Sequence, residues 1–151
     1  MAQSLGQIYL HLVFSTKDRK PFLKDPAIRE KMHNYLKGIC KKQGCPWLAV
    51  GGVEDHVHIA CRLSKTIAIS ALIKELKQGS SIWVKSEFDG MAAFHWQNGY
   101  GAFSVSPSHL PDLVRYIGDQ ENHHRRESFQ DEFRRLLRKY DVQFDDRYIW
   151  D

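Results

Sequence analysis

Two histidines separated by one valine interrupt an apolar run in the segment VEDHVHIACRL, residues 53–63. The run has the composition of a β-strand, in which alternate side chains point to the same face. His56 and His58 therefore share a face, about 6.6–6.8 Å apart along the strand, while Val57 and Ile59 point to the other face. Two imidazoles at this spacing can converge on one metal ion or one phosphate. Two solvent-facing histidines would explain the pattern equally well, so a catalytic reading needs a third ligand and a reacting group.

The segment VRYIGDQENHHRRESF, residues 114–129, offers both. We predict a helix over about 110–124, in which Tyr116, Gln120 and His124 recur every four residues and share a face. Gln120 supplies a neutral oxygen beside the two strand nitrogens. This set, completed by water and phosphate oxygens, suits Mg²⁺ or Mn²⁺ better than a structural zinc. Tyr116, one turn away, would then face a metal-bound phosphate, although surface positions for both side chains are the alternative.

A tyrosine hydroxyl in this place has a specific chemistry available to it. At its free pKa of about 10 it is a poor nucleophile. A nearby cation favours the phenolate, and a metal on the phosphate oxygens neutralises the charge that develops there. A covalent tyrosyl intermediate would split phosphodiester cleavage into two steps and conserve the bond energy. Rejoining the strand would then require no ATP.

The elements that must position these residues follow from changes in the apolar periodicity. In chain order, the core reads as strand, helix, strand, strand, helix, strand. This is the split βαβ, or ferredoxin-like, α+β arrangement, with helices on one face of an antiparallel sheet. We expect the other face to be open, and further C-terminal helices to carry the tyrosine. The predicted elements are strands at 7–15, 47–53 and 56–63, helices from Asp25-Pro26 and from Ile69, a strand–turn–strand around Asn98-Gly99, and a last helix over 129–140.

Composition limits the class of protein. The 151 residues, 42% of them apolar, fit one domain over 1–151. The three cysteines include no CxxC pair, which argues against a disulfide framework or a zinc knuckle. With no signal peptide and no membrane span in the sequence, we expect a cytoplasmic protein. The net charge of +4 permits a polyanionic partner.

Several basic side chains and histidines outside the central pair are candidate DNA contacts. Basic clusters are usually solvated faces, but some of them could hold phosphates, with binding that weakens steeply in salt. Trp83 and Trp96 could stack on bases, although core packing is the stronger expectation for both. The candidate DNA contacts are His11, Lys17, Arg19, Lys20, His124, Arg125 and Arg126.

Taken together, these segments resemble a known family. HVH on a strand and YIGDQENHH on a late helix resemble the single-tyrosine HUH transposases of the insertion sequence 200/605 family. The segments VFSTKDRKPF, WQNGYGAFSVSPS and FDDRYIWD are similar to the same family. The resemblance covers about 7–151, and REP-associated tyrosine transposases belong to the same group of relatives.

The resemblance implies specific roles. His56 and His58 would be metal ligands, Gln120 the third ligand, and Tyr116 the nucleophile. Tyr116 would attack a phosphate of single-stranded DNA, forming a 5′-phosphotyrosine and freeing a 3′-OH, and a second 3′-OH would rejoin the strand. Family members are homodimers that recognise hairpins at element ends, and the tyrosine helix can complete the partner's active site.

Three alternatives stay open at this stage. A domesticated relative would act on dispersed chromosomal repeats, a difference that lies in the surrounding genome. A non-enzymatic module that binds single-stranded nucleic acid would need no metal and would be indifferent to Tyr116→Phe. A metal-dependent phosphodiesterase would hydrolyse with water, leave no protein–DNA adduct and also survive Tyr116→Phe.

Overall fold

A four-stranded antiparallel sheet forms the centre of the protein, which a computed structural model describes over residues 2–151. The strand order is β2-β3-β1-β4, and every neighbouring pair is antiparallel. With two helices in the crossover connections, this is the predicted ferredoxin-like arrangement. The elements are β1 (Tyr9–Ser15), α1 (Pro26–Lys42), β2 (Trp47–Gly52), β3 (His56–Arg62), α2 (Ile69–Glu87), β4 (Gly101–Val105), α3 (Leu110–Gly118), α4 (Gln120–His123) and α5 (Phe129–Lys139).

The first face of the sheet packs on α1 and α2. Alternate apolar residues of β1 and β3 point to this side, and Leu12, Phe14 and Ile59 are fully buried there. The start of α1 follows its sequence signal, because the Asp25 carboxylate accepts a hydrogen bond from the Ala27 N–H at 2.9 Å. This layer fixes the strands, and with them the direction in which the histidines point.

The second face of the sheet is covered, although we expected it to be open. The helices α3, α4 and α5 lie across it, so that His56 and His58 have no solvent-exposed area. The cause is α5, whose apolar stripe of Phe129, Phe133 and Leu136 needs a partner and packs against Val13 and Phe103 of the sheet. The histidine face is therefore an interior.

Two predicted elements differ in detail. Residues 94–100 form no full strand, only an isolated bridge between Thr16 and Trp96. The backbone N–H groups of Lys17 and Gln97 donate to the carbonyls of His95 at 2.7 Å and Ser15 at 2.9 Å. The Gln97 side chain adds a contact, accepting a hydrogen bond from the Ser15 N–H at 2.8 Å. The helix predicted over 110–124 breaks at Asp119, where φ is −104° and ψ is 19°. The break follows Gly118, a residue of low helix propensity.

Within residues 2–151, no helix is both long and apolar enough to span a membrane.

Candidate active site

The two strand histidines lie on β3, which is flanked by β2 on one side and β1 on the other. Their ring centroids are 5.1 Å apart. Gly51 of β2 pairs with His58. A Cβ at Gly51 would lie 2.4 Å from the carbonyl oxygen of Ile117, so the glycine lets α3 rest directly on the sheet. This close approach brings the end of α3 to the histidines.

A buried carboxylate, that of Glu132 on α5, lies among the histidine rings. Its Oε1 is 2.9 Å from His58 Nε2, 3.3 Å from His56 Nε2 and 3.1 Å from His124 Nε2. Its Oε2 accepts hydrogen bonds from the Tyr116 hydroxyl and, at 3.4 Å, from the Gln120 amide. The carboxylate therefore connects the tyrosine with the histidine pair.

Sequence reasoning missed Glu132. A signal was present, because Glu132 lies three residues after Phe129 and four before Leu136, inside the apolar stripe of α5. A fully buried carboxylate in such a stripe requires partners of opposite charge or strong hydrogen-bond donors. The stripe alone, however, does not say which surface it packs against.

The predicted ligands do come together. Gln120 Oε1 lies 3.3 Å from His56 Nε2 and 3.0 Å from His124 Nε2. His124, which we expected to contact DNA, is thus inside the cluster, where its Nδ1 donates to the Glu127 carbonyl at 2.7 Å. His56, His58, His124 and Glu132 each offer an atom within 4.8 Å of the others.

Each strand histidine has a partner on its far nitrogen. The Asp55 carboxylate lies 2.7 Å from His56 Nδ1, and His11 Nε2 lies 2.8 Å from His58 Nδ1. Such partners orient imidazoles in metal sites by holding the second ring nitrogen. His11, another expected DNA contact, is only 1% exposed; it supports His58 and also lines a cleft beside Tyr116.

The arrangement fits a divalent ion. In an octahedral sphere with bonds of about 2.1 Å, neighbouring ligand atoms lie about 3.0 Å apart, close to the separations of 2.9–3.3 Å around Glu132 Oε1 and Gln120 Oε1. Imidazole nitrogens with carboxylate and amide oxygens form a mixed set that suits Mn²⁺ and tolerates Mg²⁺. His56, His58, Gln120 and Glu132 are the residues that would hold it.

The protonation states follow from burial and contacts. Burial lowers the pKa of His56, but hydrogen bonds to Asp55 and Glu132 outweigh it and raise the value to about 9. Burial dominates at His58 and lowers its pKa to about 4, and the same effect lowers that of His11. Burial opposes ionisation of Glu132, but the surrounding histidines hold its pKa well below the usual range. Without an ion, the carboxylate is charged and His56 is its counter-ion.

The Tyr116 hydroxyl lies between opposite charges. It donates to Glu132 Oε2 and accepts a hydrogen bond from Arg135 Nη2 at 2.9 Å. Burial and the Glu132 charge raise the pKa of Tyr116, and Arg135 opposes them. Arg135 is itself held by Glu127, 3.1 Å away. The phenol is therefore stabilised in its neutral form by burial and by the neighbouring Glu132 charge.

The remaining basic candidates lie outside this cluster. Lys17, Arg19 and Lys20 follow β1 in a short 3₁₀ turn, where the Arg19 guanidinium lies 5.6 Å from the Trp150 ring. Arg125 and Arg126 are exposed in the turn after α4. Nothing brings these five side chains together with Tyr116. The two tryptophans considered for base stacking pack inside or against neighbours: Trp96 donates to Ser80 Oγ at 2.9 Å, and Trp83 stacks on Tyr35.

The sheet is ferredoxin-like and carries paired histidines, and Tyr116 of α3 and Gln120 of α4 lie over it, four residues apart in the chain. These features define a class of candidate phosphoryl-transfer proteins. The sequence model of the family described as "Transposase IS200 like" matches residues 4–120. The chain belongs to this family of transposases. The matched residues include the histidine pair, Tyr116 and Gln120, but neither His124 nor Glu132.

Solved structures support the fold. A candidate transposase from Deinococcus radiodurans R1 is 22% identical, covers 80% of this chain and 95% of its own, and gives a TM-score of 0.62. A REP-associated tyrosine transposase bound to a REP hairpin is 12% identical, covers 82% of this chain and 74% of its own, and gives a TM-score of 0.58. The search of curated proteins found no match.

Proposed function

We propose that this protein cleaves and rejoins single-stranded DNA through a covalent 5′-phosphotyrosine at Tyr116, supported by Mg²⁺ or Mn²⁺. The observation that carries the proposal is the shared carboxylate: Glu132 contacts the Tyr116 hydroxyl with one oxygen and the His58 nitrogen with the other. A tyrosine that only packed against the sheet would not require a charged carboxylate at its hydroxyl.

The ion would be held by His56 and His58 with oxygens from Gln120 and Glu132. When bound, it polarises phosphate oxygens and offsets the charge that develops on the phosphate. The chain's own part begins with orientation, because Asp55 and His11 hold the far nitrogens of the two strand histidines. Both imidazoles then direct Nε2 towards Glu132 Oε1.

Tyr116 supplies the nucleophile. Its oxygen forms a bond to phosphorus, the bond from phosphorus to the 3′ oxygen breaks, and the 3′ oxygen leaves with the electron pair. The hydroxyl proton leaves along the hydrogen bond to Glu132 Oε2 and passes to solvent, and the departing 3′ oxygen takes up one proton from solvent to become a 3′-OH, so that the step neither gains nor loses a proton overall. Arg135, 2.9 Å from the Tyr116 oxygen, stabilises negative charge on that oxygen as it forms. Attack by a second 3′-OH reverses these steps and frees Tyr116.

The substrate is proposed from the same family. A structural neighbour is a tyrosine transposase bound to a REP hairpin, and we propose that hairpins in single-stranded DNA position this protein too. In the single chain, Tyr116 of α3 lies over the chain's own histidines, with its ring centroid 5.7 Å from that of His58. We propose that the protein forms a homodimer in which the tyrosine helix acts either on its own subunit or on the partner subunit.

The test is adduct formation. The protein is incubated with Mn²⁺ or Mg²⁺ and single-stranded oligonucleotides that carry the hairpins flanking its own gene, and a denaturing gel is read for a protein–DNA adduct. We expect an adduct that is abolished by EDTA and by Tyr116→Phe but retained in Tyr148→Phe, a matched change at a tyrosine that is 65% exposed.

The other outcomes separate the alternatives. Cleavage that leaves no adduct and persists in Tyr116→Phe would identify a hydrolytic phosphodiesterase. Binding that is independent of metal, with no cleavage of any cognate strand, would identify a binding module. Equal activity on dispersed chromosomal repeats and on element ends would favour a domesticated relative.

A further inference from the structure

A cleft of about 560 Å³ opens beside Tyr116, between β4, α3 and α5. We propose that it binds one nucleotide of single-stranded DNA, the one joined to the phosphate that Tyr116 attacks. This inference rests on the proposed function, since it takes Tyr116 as the nucleophile. The volume lies within the range of about 300–1,000 Å³ that is typical of small-ligand sites.

The cleft carries positive charge next to the reacting oxygen. Arg135 and Lys139 lie four residues apart on α5, on one helix face, and both line the cleft. Arg135 Nη2 is 2.9 Å from the Tyr116 oxygen. Asp112, a carboxylate in the lining, is already paired with Arg115. A phosphodiester that approaches Tyr116 through the cleft therefore meets two cations.

The interior of the cleft suits a base. Leu113 and Leu136 form an apolar floor, and Tyr140 forms a wall. The Tyr140 ring is held in place because it stacks on Phe103 at 4.6 Å with an interplanar angle of 18°. Proteins bind unpaired bases on aromatic side chains of this kind, since every base has a face that can stack.

The polar rim matches the edge of a base. Ser104, Ser106 and His109 also line the cleft, and Ser106 Oγ lies 2.6 Å from His109 Nδ1. Hydroxyl and imidazole groups can both donate and accept hydrogen bonds. The cleft thus combines cations for a phosphate with apolar, aromatic and hydrogen-bonding side chains for a base, the groups that one nucleotide requires.

The experiment measures binding without cleavage. A fluorescent single-stranded oligonucleotide that spans the cleavage junction is titrated with the Tyr116→Phe protein, and its anisotropy is followed at several salt concentrations. Abasic sites placed one at a time on either side of the scissile phosphate show which nucleotide enters. We expect one abasic position to weaken binding by about tenfold or more, and Tyr140→Leu to remove most of that difference.

Lys139→Gln tests the phosphate end without touching the core, because Lys139 is exposed. We expect it to weaken binding and to reduce the slope of log K against log salt by about 0.7, the loss of one phosphate contact on a single strand. Lys41→Gln, at the exposed end of α1, and Tyr148→Leu are the matched controls and should leave both quantities unchanged.

The proposal is overturned if neither Lys139→Gln nor Tyr140→Leu changes binding, or if abasic sites cost the same in parent and Tyr140→Leu proteins. The nucleotide cleft and the covalent mechanism at Tyr116 can be rejected independently. An adduct at Tyr116 combined with unaffected binding in both variants rejects the nucleotide cleft alone. Weakened binding in both variants without any adduct supports the cleft and rejects the covalent mechanism.

Discussion

The hydroxyl of Tyr116 and the carboxylate of Glu132 form a hydrogen bond that joins helix α3 to helix α5 over the histidine pair. The other oxygen of the same carboxylate lies 2.9 Å from His58. A change of charge among the histidines therefore acts directly on the Tyr116 hydroxyl. A bound cation would offset the negative charge of Glu132. The pKa of Tyr116 would then fall, because that charge favours the neutral phenol.

Glu132→Gln is the substitution that tests the carboxylate as a metal ligand. It conserves shape but removes the charge, and we expect Mn²⁺ affinity to fall by about tenfold or more, since even indirect partners of metal ligands contribute about 10–100-fold. The measurement is the dissociation constant of Mn²⁺ by electron paramagnetic resonance, without DNA. Glu121→Gln, at an exposed carboxylate that pairs with Arg29, should bind Mn²⁺ as the parent does. Equal affinity in Glu132→Gln would restrict the ligands to His56, His58 and Gln120.

The same substitution should change the acidity of Tyr116. Burial and the negative charge of Glu132 raise its pKa, so removal of that charge lowers it. The expected result is a shift of the Tyr116 ionisation to lower pH in Glu132→Gln, measured in EDTA as ultraviolet difference titration between each protein and its Tyr116→Phe counterpart. An unchanged titration would mean that the carboxylate has no electrostatic effect on the phenol.

The substitution Gly51→Ala tests the close packing of α3 against the sheet. A Cβ there would lie 2.4 Å from the Ile117 carbonyl oxygen and 2.9 Å from its Cγ2, so α3 must move. We expect a loss of about 1–3 kcal/mol in the free energy of unfolding, as for other overpacked positions, together with less adduct. Gly38→Ala is the control, since a Cβ at Gly38 in α1 meets nothing within 4 Å. Urea unfolding should show Gly38→Ala to be at least as stable as the parent.

The sequence predicted those parts of the site that depend on local periodicity. The alternation of β3 places His56 and His58 on one face, and the helical spacing of Tyr116 and Gln120 survives the break at Asp119, since the Gln120 amide still reaches the Tyr116 carbonyl at 3.3 Å. Glu132 escaped prediction because its role depends on where α5 packs. That contact joins residues 74 positions apart in the chain, and no local pattern encodes it.

Coverage of the histidine face escaped prediction for the same reason. The split βαβ order accounts for α1 and α2 on one side of the sheet but says nothing about helices that follow β4. The apolar stripe of α5 shows only that it must be buried somewhere. Its packing against Phe103 and Val13 covers the face on which His11 lies, buried beside His58.

A histidine outside the candidate site should govern part of the acid sensitivity of the fold. Burial, with smaller contributions from the Arg29 and Lys37 charges, lowers the pKa of His33 to about 4, and its Nε2 has no hydrogen-bond partner within residues 2–151. The unfolded chain, with a histidine pKa of about 6.5, binds more protons than the native state between these two values. The stability that the neutral His33 contributes is therefore fully present above about pH 6.5. It is lost as the pH falls towards 4.

His33→Gln should remove this contribution. Between pH 7 and pH 4.5, the free energy of unfolding of the parent should fall by about 2 kcal/mol more than that of the variant. Urea denaturation at the two pH values in EDTA measures the difference. His95→Gln, at an exposed histidine, should follow the parent. Parallel losses in parent and His33→Gln would show that His33 is protonated as readily in the fold as in the unfolded chain.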